Sequence, residues 1–342
     1  MHPRQGNRSR KASPTLPGRV RWSCVAMYRE RRIAVVVPAY NEELLIGPTL
    51  DTMPEFVDRV YVVDDCSADQ TSPRIGERAA KDPRIVLLRH ETNCGVGAAI
   101  ITGYTAALLD DLDIVAVMAG DNQMDPAFLP KLLDPIVDGK ADYTVGNRLI
   151  NPEFRKGMSR WRFAGNAALT LLTKIASGYW QLVDPQNGYT AISRRALETI
   201  PLDAVYPRYG YCNDILVRLN VYGFRVTNVP HPARYGLERS NIKYSSYILR
   251  LSGLLLKDFL WRLKTKYVVM GFHPLVFFYF FGVAFSVISV LMGIYSLYFK
   301  FVQDNSVFVP AVITLLIFGL GAQFLLFAML FDMQAEKNGG WY

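Results

Sequence analysis

Three places in the chain set carboxylate and amide side chains at the end of an apolar, β-branched run. The first is Val35-Val36-Val37-Pro38-Ala39-Tyr40-Asn41-Glu42-Glu43, where Pro38 stops a ladder and an aromatic ring stands beside paired carboxylates. The second is Val62-Val63-Asp64-Asp65-Cys66-Ser67-Ala68-Asp69. The third runs from Ile114-Val115-Ala116-Val117-Met118 into Ala119-Gly120-Asp121-Asn122-Gln123-Met124-Asp125-Pro126. In an open α/β sheet such strand ends face the ligand crevice. Acceptors beside an aromatic ring suit a nucleoside, whose base stacks on the ring while its N–H groups and ribose hydroxyls donate to carboxylates. Asp121 and Gln123, two residues apart, can hold a hard cation such as Mg²⁺ or Mn²⁺, which would also hold a diphosphate and offset the charge that grows on it as it departs. Each strand end also has a plainer explanation: a capped turn at Asp65-Cys66-Ser67, or a helix through Leu44, Leu45 and Leu50 with Asn41 as its cap. Adjacent ends converging on one crevice favour a site over coincidence.

Positioning such residues takes a sheet, and the pattern supplies one. From Ile33 to about residue 235, short β-rich runs (Ile33–Val37, Val60–Val63, Ile85–Leu88, Ile114–Met118, Tyr143–Val145) alternate with amphipathic segments, which predicts a mostly parallel sheet covered by helices on both faces. After Tyr235 the character changes. Ile242 to Tyr267 reads as a helix with Lys243, Arg250, Lys257 and Lys264 spaced seven apart in one stripe, amid Ile248, Leu249, Leu251, Leu255, Phe259 and Trp261. An interfacial membrane helix or an amphipathic helix packed on the domain would both read this way. Residues 267–299 and 305–331 contain no Asp, Glu, Lys or Arg, and each run exceeds the roughly 20 residues that span a bilayer. Only Lys300 to Asp304 separates them, so they are expected to form a hairpin with both flanks on one side. Arg262, Lys264 and Lys266 put that side in the cytoplasm, as the positive-inside rule requires. His273-Pro274 is expected to kink the first span or mark its boundary.

Half of the chain, 51%, is hydrophobic, and the net charge of +8 is local: residues 1–32 hold nine basic side chains and one acidic, while the other 310 residues carry 29 of each sign. Bulk charge on the folded body therefore gives no support for nucleic-acid binding. Residues 1–31 read as a basic, disordered tail without the apolar segment of a signal peptide, and Met27 reads as the true start. Cys24, Cys66, Cys94 and Cys212 show neither metal spacing nor a disulfide framework, which suits a reduced, cytosol-facing protein.

The chain resembles the family 2 glycosyltransferases of the GT-A fold, and more narrowly the polyprenyl-phosphate glycosyltransferases and dolichol-phosphate mannose synthases. The matching pieces are the three strand ends together with Asn93-Cys94-Gly95-Val96-Gly97-Ala98-Ala99, Gly146-Asn147-Arg148 and Asp184-Pro185-Gln186-Asn187-Gly188-Tyr189, in family order from Ile33 to Lys243. The resemblance implies a Rossmann-like, mostly parallel GT-A domain over 32–235, juxtamembrane interfacial helices over 236–266 and a two-helix transmembrane hairpin over 267–342 with a cytoplasmic C-terminus. It implies nucleotide-sugar contacts at Pro38, Ala39, Tyr40, Glu42, Val63, Asp65, Ala119, Gly120 and Asp121, and coordination of Mg²⁺ or Mn²⁺ by Asp121 and Gln123. The family usually carries Asp-x-Asp before that glutamine. Here the first position is Ala119, so one acidic contact near the sugar or metal is missing, and Asp125 lies too far along the turn to replace it.

A lipid monophosphate, with a second pKa of about 6, is largely ionised at neutral pH, so its oxygen can attack without a strong protein base. What the site needs is cations to orient that phosphate. Arg148, Arg162, Arg239 and Lys243 are candidates with Ser240, and the resemblance puts phosphate-binding arginines at the first three. Asp184 opens a turn in which it also serves as a cap, and Asp214 is a candidate for the sugar hydroxyls. The expectation is an inverting transfer of one hexose from a UDP- or GDP-sugar to a polyprenyl phosphate at the cytoplasmic membrane face; a homo-oligomer is compatible with it. Two rivals stand beside it: a non-catalytic membrane subunit that binds nucleotide sugar or lipid carrier, for which Ala119 argues, and a processive polysaccharide synthase, disfavoured because Ser159-Arg160-Trp161 lacks the glutamine of Gln-x-x-Arg-Trp.

Overall fold

The computed structural model describes residues 27–149, 160–232, 244–303, 306 and 308–337. Seven strands form one sheet: β1 (Ile33–Ala39), β2 (Arg59–Asp64), β3 (Ile85–Arg89), β4 (Ile114–Val117), β5 (Tyr143–Asn147), β6 (Thr190–Ser193) and β7 (Val226–Pro230), in the order β3-β2-β1-β4-β6-β5-β7. All neighbours pair parallel except β6, which runs antiparallel to both β4 and β5. The five strands expected from sequence are present. The sequence reading missed β6 and β7, the first a four-residue Thr-Ala-Ile-Ser segment with no alternation to mark it.

The apolar run of β1 is buried on both faces, which is why it lacks alternation. Ala34 and Val36 pack on α3 (Val96–Leu109), α6 (Arg194–Thr199) and α7 (Tyr211–Val221), while Ile33, Val35 and Val37 pack on α1 (Ile46–Asp51), α2 (Thr71–Ala79) and α4 (Leu129–Val137). The two cores sandwich the sheet, as a doubly wound fold requires. Asn41 does not cap α1: the helix begins later, with Leu45 at the N-cap and no side-chain cap bond. Asn41 instead takes a left-handed φ of 57° and its Oδ1 accepts from Ala68 N–H at 2.9 Å, so it clips the first strand end to the second.

Beyond the sheet, α5 (Arg160–Ser177) and α7 support α8 (Tyr244–Lys264). Leu251 and Leu255 are buried against Leu169, Ala176 and Val217. On the opposite side, Leu249, Leu256 and Leu260 stand exposed beside exposed Arg250, Lys257 and Lys264. The packed reading of this helix therefore holds on one face, and the other face leaves leucines and cations exposed together. A π-helical turn at Thr265–Met270 leads to α9 (Leu275–Gln303), which starts directly after Pro274; His273 Nδ1 accepts from Leu275 N–H at 3.1 Å, so the His-Pro pair marks a boundary and not a kink. Helix α9 packs along α10 (Phe308–Lys337), with Gly282 against Leu325 and Ser289 Oγ donating to Thr314 O at 3.1 Å. Both helices are long and apolar enough to cross a membrane, and their outer faces expose phenylalanine, leucine and valine.

Candidate active site

The strand ends meet because the ladder registers them. Pro38 does not stop the ladder: it pairs with Val63 and Ala39 with Asp64, and the pairing runs one step further as Asp65 N–H donates to Ala39 O at 2.9 Å. On the other flank of β1, Met118 N–H donates to Val36 O (3.0 Å) and Gly120 N–H to Pro38 O (3.3 Å). Tyr40, Asp65 and Gly120-Asp121 thus leave the sheet along one edge. Tyr40 is 50% exposed, so its ring offers a free stacking face. Val63 and Ala39 are buried among core side chains, so they border this edge through their backbones.

Asp65 is held rigidly. Its Oδ1 accepts from Cys94 N–H (2.8 Å) and from His90 Nδ1–H (2.7 Å), and its Oδ2 accepts from Gly95 N–H (2.7 Å). Gly95 has φ +98°, and a Cβ at Gly97 would collide with the Tyr206 carbonyl, so both glycines of this run are required by the backbone that wraps the carboxylate. His90, whose Nε2 meets Thr102 Oγ1 at 2.9 Å, was missed by the sequence reading; the signal was its place at the end of the strand beside β2. Ligand atoms of Asp65, His90 and Cys94 lie within 4.8 Å of one another, but the hydrogen bonds already on both Asp65 oxygens make this an orienting cluster.

Asp121 offers a different environment. Its one described hydrogen bond is to Oδ1, from Gln123 N–H at 3.0 Å, in a turn whose Asn122 has a left-handed φ of 56°. The half-buried Asp121 carboxylate, with the amide oxygen of Gln123 two residues on, would be a hard donor set of the kind Mg²⁺ or Mn²⁺ takes. Asp125 is spent elsewhere, its Oδ1 accepting from Ala127 N–H at 3.0 Å as the cap of the following 3₁₀ turn. Ala119 N–H donates to Met124 Sδ at 3.2 Å, which lays a thioether beside the position where the family carries its first acid.

Arg148 and Asp184 come together in a two-point pair, Nε to Oδ2 at 2.8 Å and Nη2 to Oδ1 at 3.2 Å, with the carboxylate buried. Next to them Asn187 Nδ2 donates to Gly146 O (2.8 Å) and meets His231 Nε2 (2.7 Å), while His231 Nδ1 meets Pro232 O at 2.9 Å. Burial holds the His231 imidazole below its ordinary pKa of 6.5, in keeping with a neutral ring. Asp214 is not brought to the crevice. It lies buried on α7, paired with Arg218 at 2.9 Å and accepting from Tyr206 N–H at 2.6 Å. Arg162 lies on α5, but its side chain is outside the described residues, as are Arg239, Ser240 and Lys243.

The model of glycosyl transferase family 2 matches residues 34–200, the span that holds every strand end above. An undecaprenyl-phosphate mannosyltransferase from Micrococcus luteus is 32% identical over 210 residues, 58% of this chain and 82% of that protein. This chain belongs to glycosyl transferase family 2. Another relative of this glycosyltransferase is the polyprenol monophosphomannose synthase of Mycolicibacterium smegmatis, 33% identical over 58% of this chain and 76% of its own length. A third is the UDP-N-acetylglucosamine–dolichyl-phosphate N-acetylglucosaminyltransferase of Methanococcus voltae, 29% identical over 59% and 85% respectively. The fold is that of glucosyl-3-phosphoglycerate synthase from Mycobacterium tuberculosis, solved with Mn²⁺, UDP and phosphoglyceric acid: TM-score 0.52, 22% identity, covering 68% of this chain and 79% of that one. The sheet is thus of the GT-A type, and the relatives named above act on polyprenyl phosphates.

Proposed function

We propose that this glycosyltransferase moves a single hexose, with inversion, from a nucleotide-diphosphate sugar to a polyprenyl phosphate at the cytoplasmic face of the membrane. The observation that carries the reading is the convergence of Tyr40, Asp65 and Asp121 on one sheet edge in a chain that ends in two membrane-length helices. Tyr40 stacks on the base; Pro38, Glu42 and Asp65 take the nucleoside. Asp121 and Gln123 would hold Mg²⁺ or Mn²⁺, which when bound supplies positive charge to the leaving diphosphate. Arg148, oriented by Asp184, and Arg162, Arg239, Ser240 and Lys243 orient the acceptor phosphate, whose own ionised oxygen attacks the anomeric carbon. Residues 32–235 act as the catalytic unit, 236–266 as the interfacial segment and 267–342 as the anchor, with Lys264 and Lys266 keeping both flanks of the hairpin on the cytoplasmic side.

The test uses membranes containing the protein, radiolabelled UDP- and GDP-sugars, short polyprenyl phosphates and Mn²⁺ or Mg²⁺. The expected product is a lipid carrying one sugar, reduced by roughly 10²–10³-fold in Asp121→Ala, the scale of losing one charge-stabilising group. A polymeric product, or no transfer from any donor, sinks the reading. Ala119 favours a second reading, a donor-binding subunit, which predicts nucleotide-sugar binding without transfer.

A further inference from the structure

A cavity of about 180 Å³ lies at the opposite end of the strands from the crevice. Strands β5 and β7 run parallel, with Tyr143 opposite Val226 and Asn147 opposite Pro230. Arg148 leaves β5 at the catalytic end, whereas Lys140 and Arg225 precede β5 and β7 at the other, where they line this cavity with Gln181 and Asn220. The rest of its wall includes the foot of the long apolar helices: Lys266 in the π-helical turn before α9, and Ala335 near the end of α10. The sheet domain and the helix pair thus share a concave surface that the proposed transfer does not use.

Its charge is one-sided, since the lining residues include three cations and no acid. Asp142, itself buried, is shared between Arg225 Nε at 3.3 Å and Arg195 Nη2 at 3.1 Å, so two cations answer one anion. The terminal nitrogens of Arg225 make no bond among the described residues. Lys266 Nζ donates to the amide oxygen of Asn220 at 2.7 Å and also lies within range of Asp332, a carboxylate that Arg262 already holds. Lys140 reaches Asp138 at 3.0 Å, but its side chain is 76% exposed, and exposed pairs of this kind contribute little. Glu336 and Lys337, next along α10, carry opposite charges, and their side chains lie outside the described residues.

An anion of headgroup size completes such a surface. Sites that enclose a drug-sized ligand run to about 300–1,000 Å³, so this one takes a phosphate with its immediate substituent. The position of the cavity says that the phosphate is a lipid's. Directly after Lys266, Val268, Val269, Met270 and Phe272 stand exposed, and α9 begins at Leu275. Apolar side chains in hydrocarbon with a cation at their edge make the arrangement of a bilayer interface, where anionic headgroups lie.

We infer that this cavity holds the phosphate of an anionic phospholipid, bound between Lys140 and Arg225 of the sheet domain and Lys266 at the foot of the apolar helices. The lipid then bridges the two parts of the molecule, in parallel with the Arg262–Asp332 pair. The inference rests on the reading of α9 and α10 as membrane spans. A zwitterionic lipid brings the same phosphate with an ammonium that opposes the three cations, so it binds less well.

The test is native mass spectrometry of the full chain, extracted by detergent from bilayers of phosphatidylcholine mixed equally with phosphatidylglycerol, with the lipid that stays bound identified and counted. The expected result is one phosphatidylglycerol retained over phosphatidylcholine by about 25-fold or more, the product of two or three basic side chains at about 5-fold each. Lys140→Gln and Arg225→Gln should each lower that preference about 5-fold, and Arg225→Lys should keep most of it. Lys140→Gln alters only an exposed side chain, so it decides the matter even where the Arg225 variants misfold. Arg250→Gln, on the exposed stripe of α8, should leave the preference unchanged. Equal retention of the two lipids overturns the inference, as does an equal loss in Arg250→Gln, the mark of diffuse attraction. Displacement by inorganic phosphate or glycerol 3-phosphate at concentrations matched to the lipid overturns it in favour of a soluble anion. A chain that washes from the bilayer without detergent removes the membrane reading and the inference together; a chain that needs detergent but shows no lipid preference removes the inference alone.

Discussion

Arg148 is the clearest case of a residue whose type was readable and whose state was not. Sequence offered it as a cation for phosphate; the fold gives it a buried carboxylate partner in Asp184, contributed by a turn 36 residues away. The pair fixes the guanidinium plane. Asp184→Asn is expected to keep the fold but slacken that plane, raising KM for the polyprenyl phosphate about 10-fold or more with donor affinity unchanged; titration of each substrate separates the two, and a change confined to the donor would refute the assignment. Asp65 was legible because its motif is contiguous. His90, Cys94 and Gly95, which hold it, were not read as its partners because they come from the segment that links β3 to α3. Asn41 was misread because a polar residue before a helical run has the same local signature whether it caps that helix or ties two turns together.

At the scale of elements, α8 joins the sheet domain to the two long apolar helices. Its cationic stripe and its apolar content were both visible in sequence, but which apolar residues pack inward was settled only by the positions of α5 and α7. The same packing buries Asp258 of α8 near Asp214 and Arg218 of α7, with Lys257 beside it on its own helix. Burial, reinforced by Asp214, lifts its carboxyl from the ordinary 3.8 to about 7. Burial also raises Asp214 above its ordinary value, so it acts in the same direction. Between those two pH values the folded state holds a proton on Asp258 that the unfolded chain has released, so stability falls as pH rises through that window, by up to about 1.4 kcal/mol per pH unit for this group, and is flat outside it. Thermal unfolding in micelles at pH 5 and pH 7 should show a lower midpoint at pH 7, and Asp258→Asn should shrink the difference. An undiminished difference in the variant would assign the pH dependence to other groups.

For the whole molecule, an ion pair among the described residues ties the pair of long apolar helices to the sheet domain. Arg262 of α8, fully buried, donates to Asp332 of α10 through Nη1 and Nη2, both at 2.9 Å, and through Nη2 to Ile175 O of α5 at 3.0 Å; Tyr267 Oη donates to the same carboxylate at 2.7 Å. In sequence, Arg262 was one of three cations before a span and Asp332 the first charge after the other. Removing one partner of a buried pair leaves the other charge uncompensated, at a cost of about 3–5 kcal/mol. Asp332→Ala should therefore free the hairpin and lower the unfolding midpoint in micelles, while Arg262→Met with Asp332→Leu should recover much of the loss; if the single variant melts as the parent does, the pair does not hold the hairpin.

The sequence by itself determined the parallel α/β character, the strand ends that carry Tyr40, Asp65 and Asp121, and the two apolar spans, because each is written in contiguous residues with a short period. Only the tertiary structure decided that Arg148 belongs to Asp184, that Asp214 turns to Arg218 instead of the crevice, and that Asp125 caps a turn. These are pairings across elements, set by strand register and helix packing, and no local pattern of residues encodes which distant partner a buried charge or amide will meet.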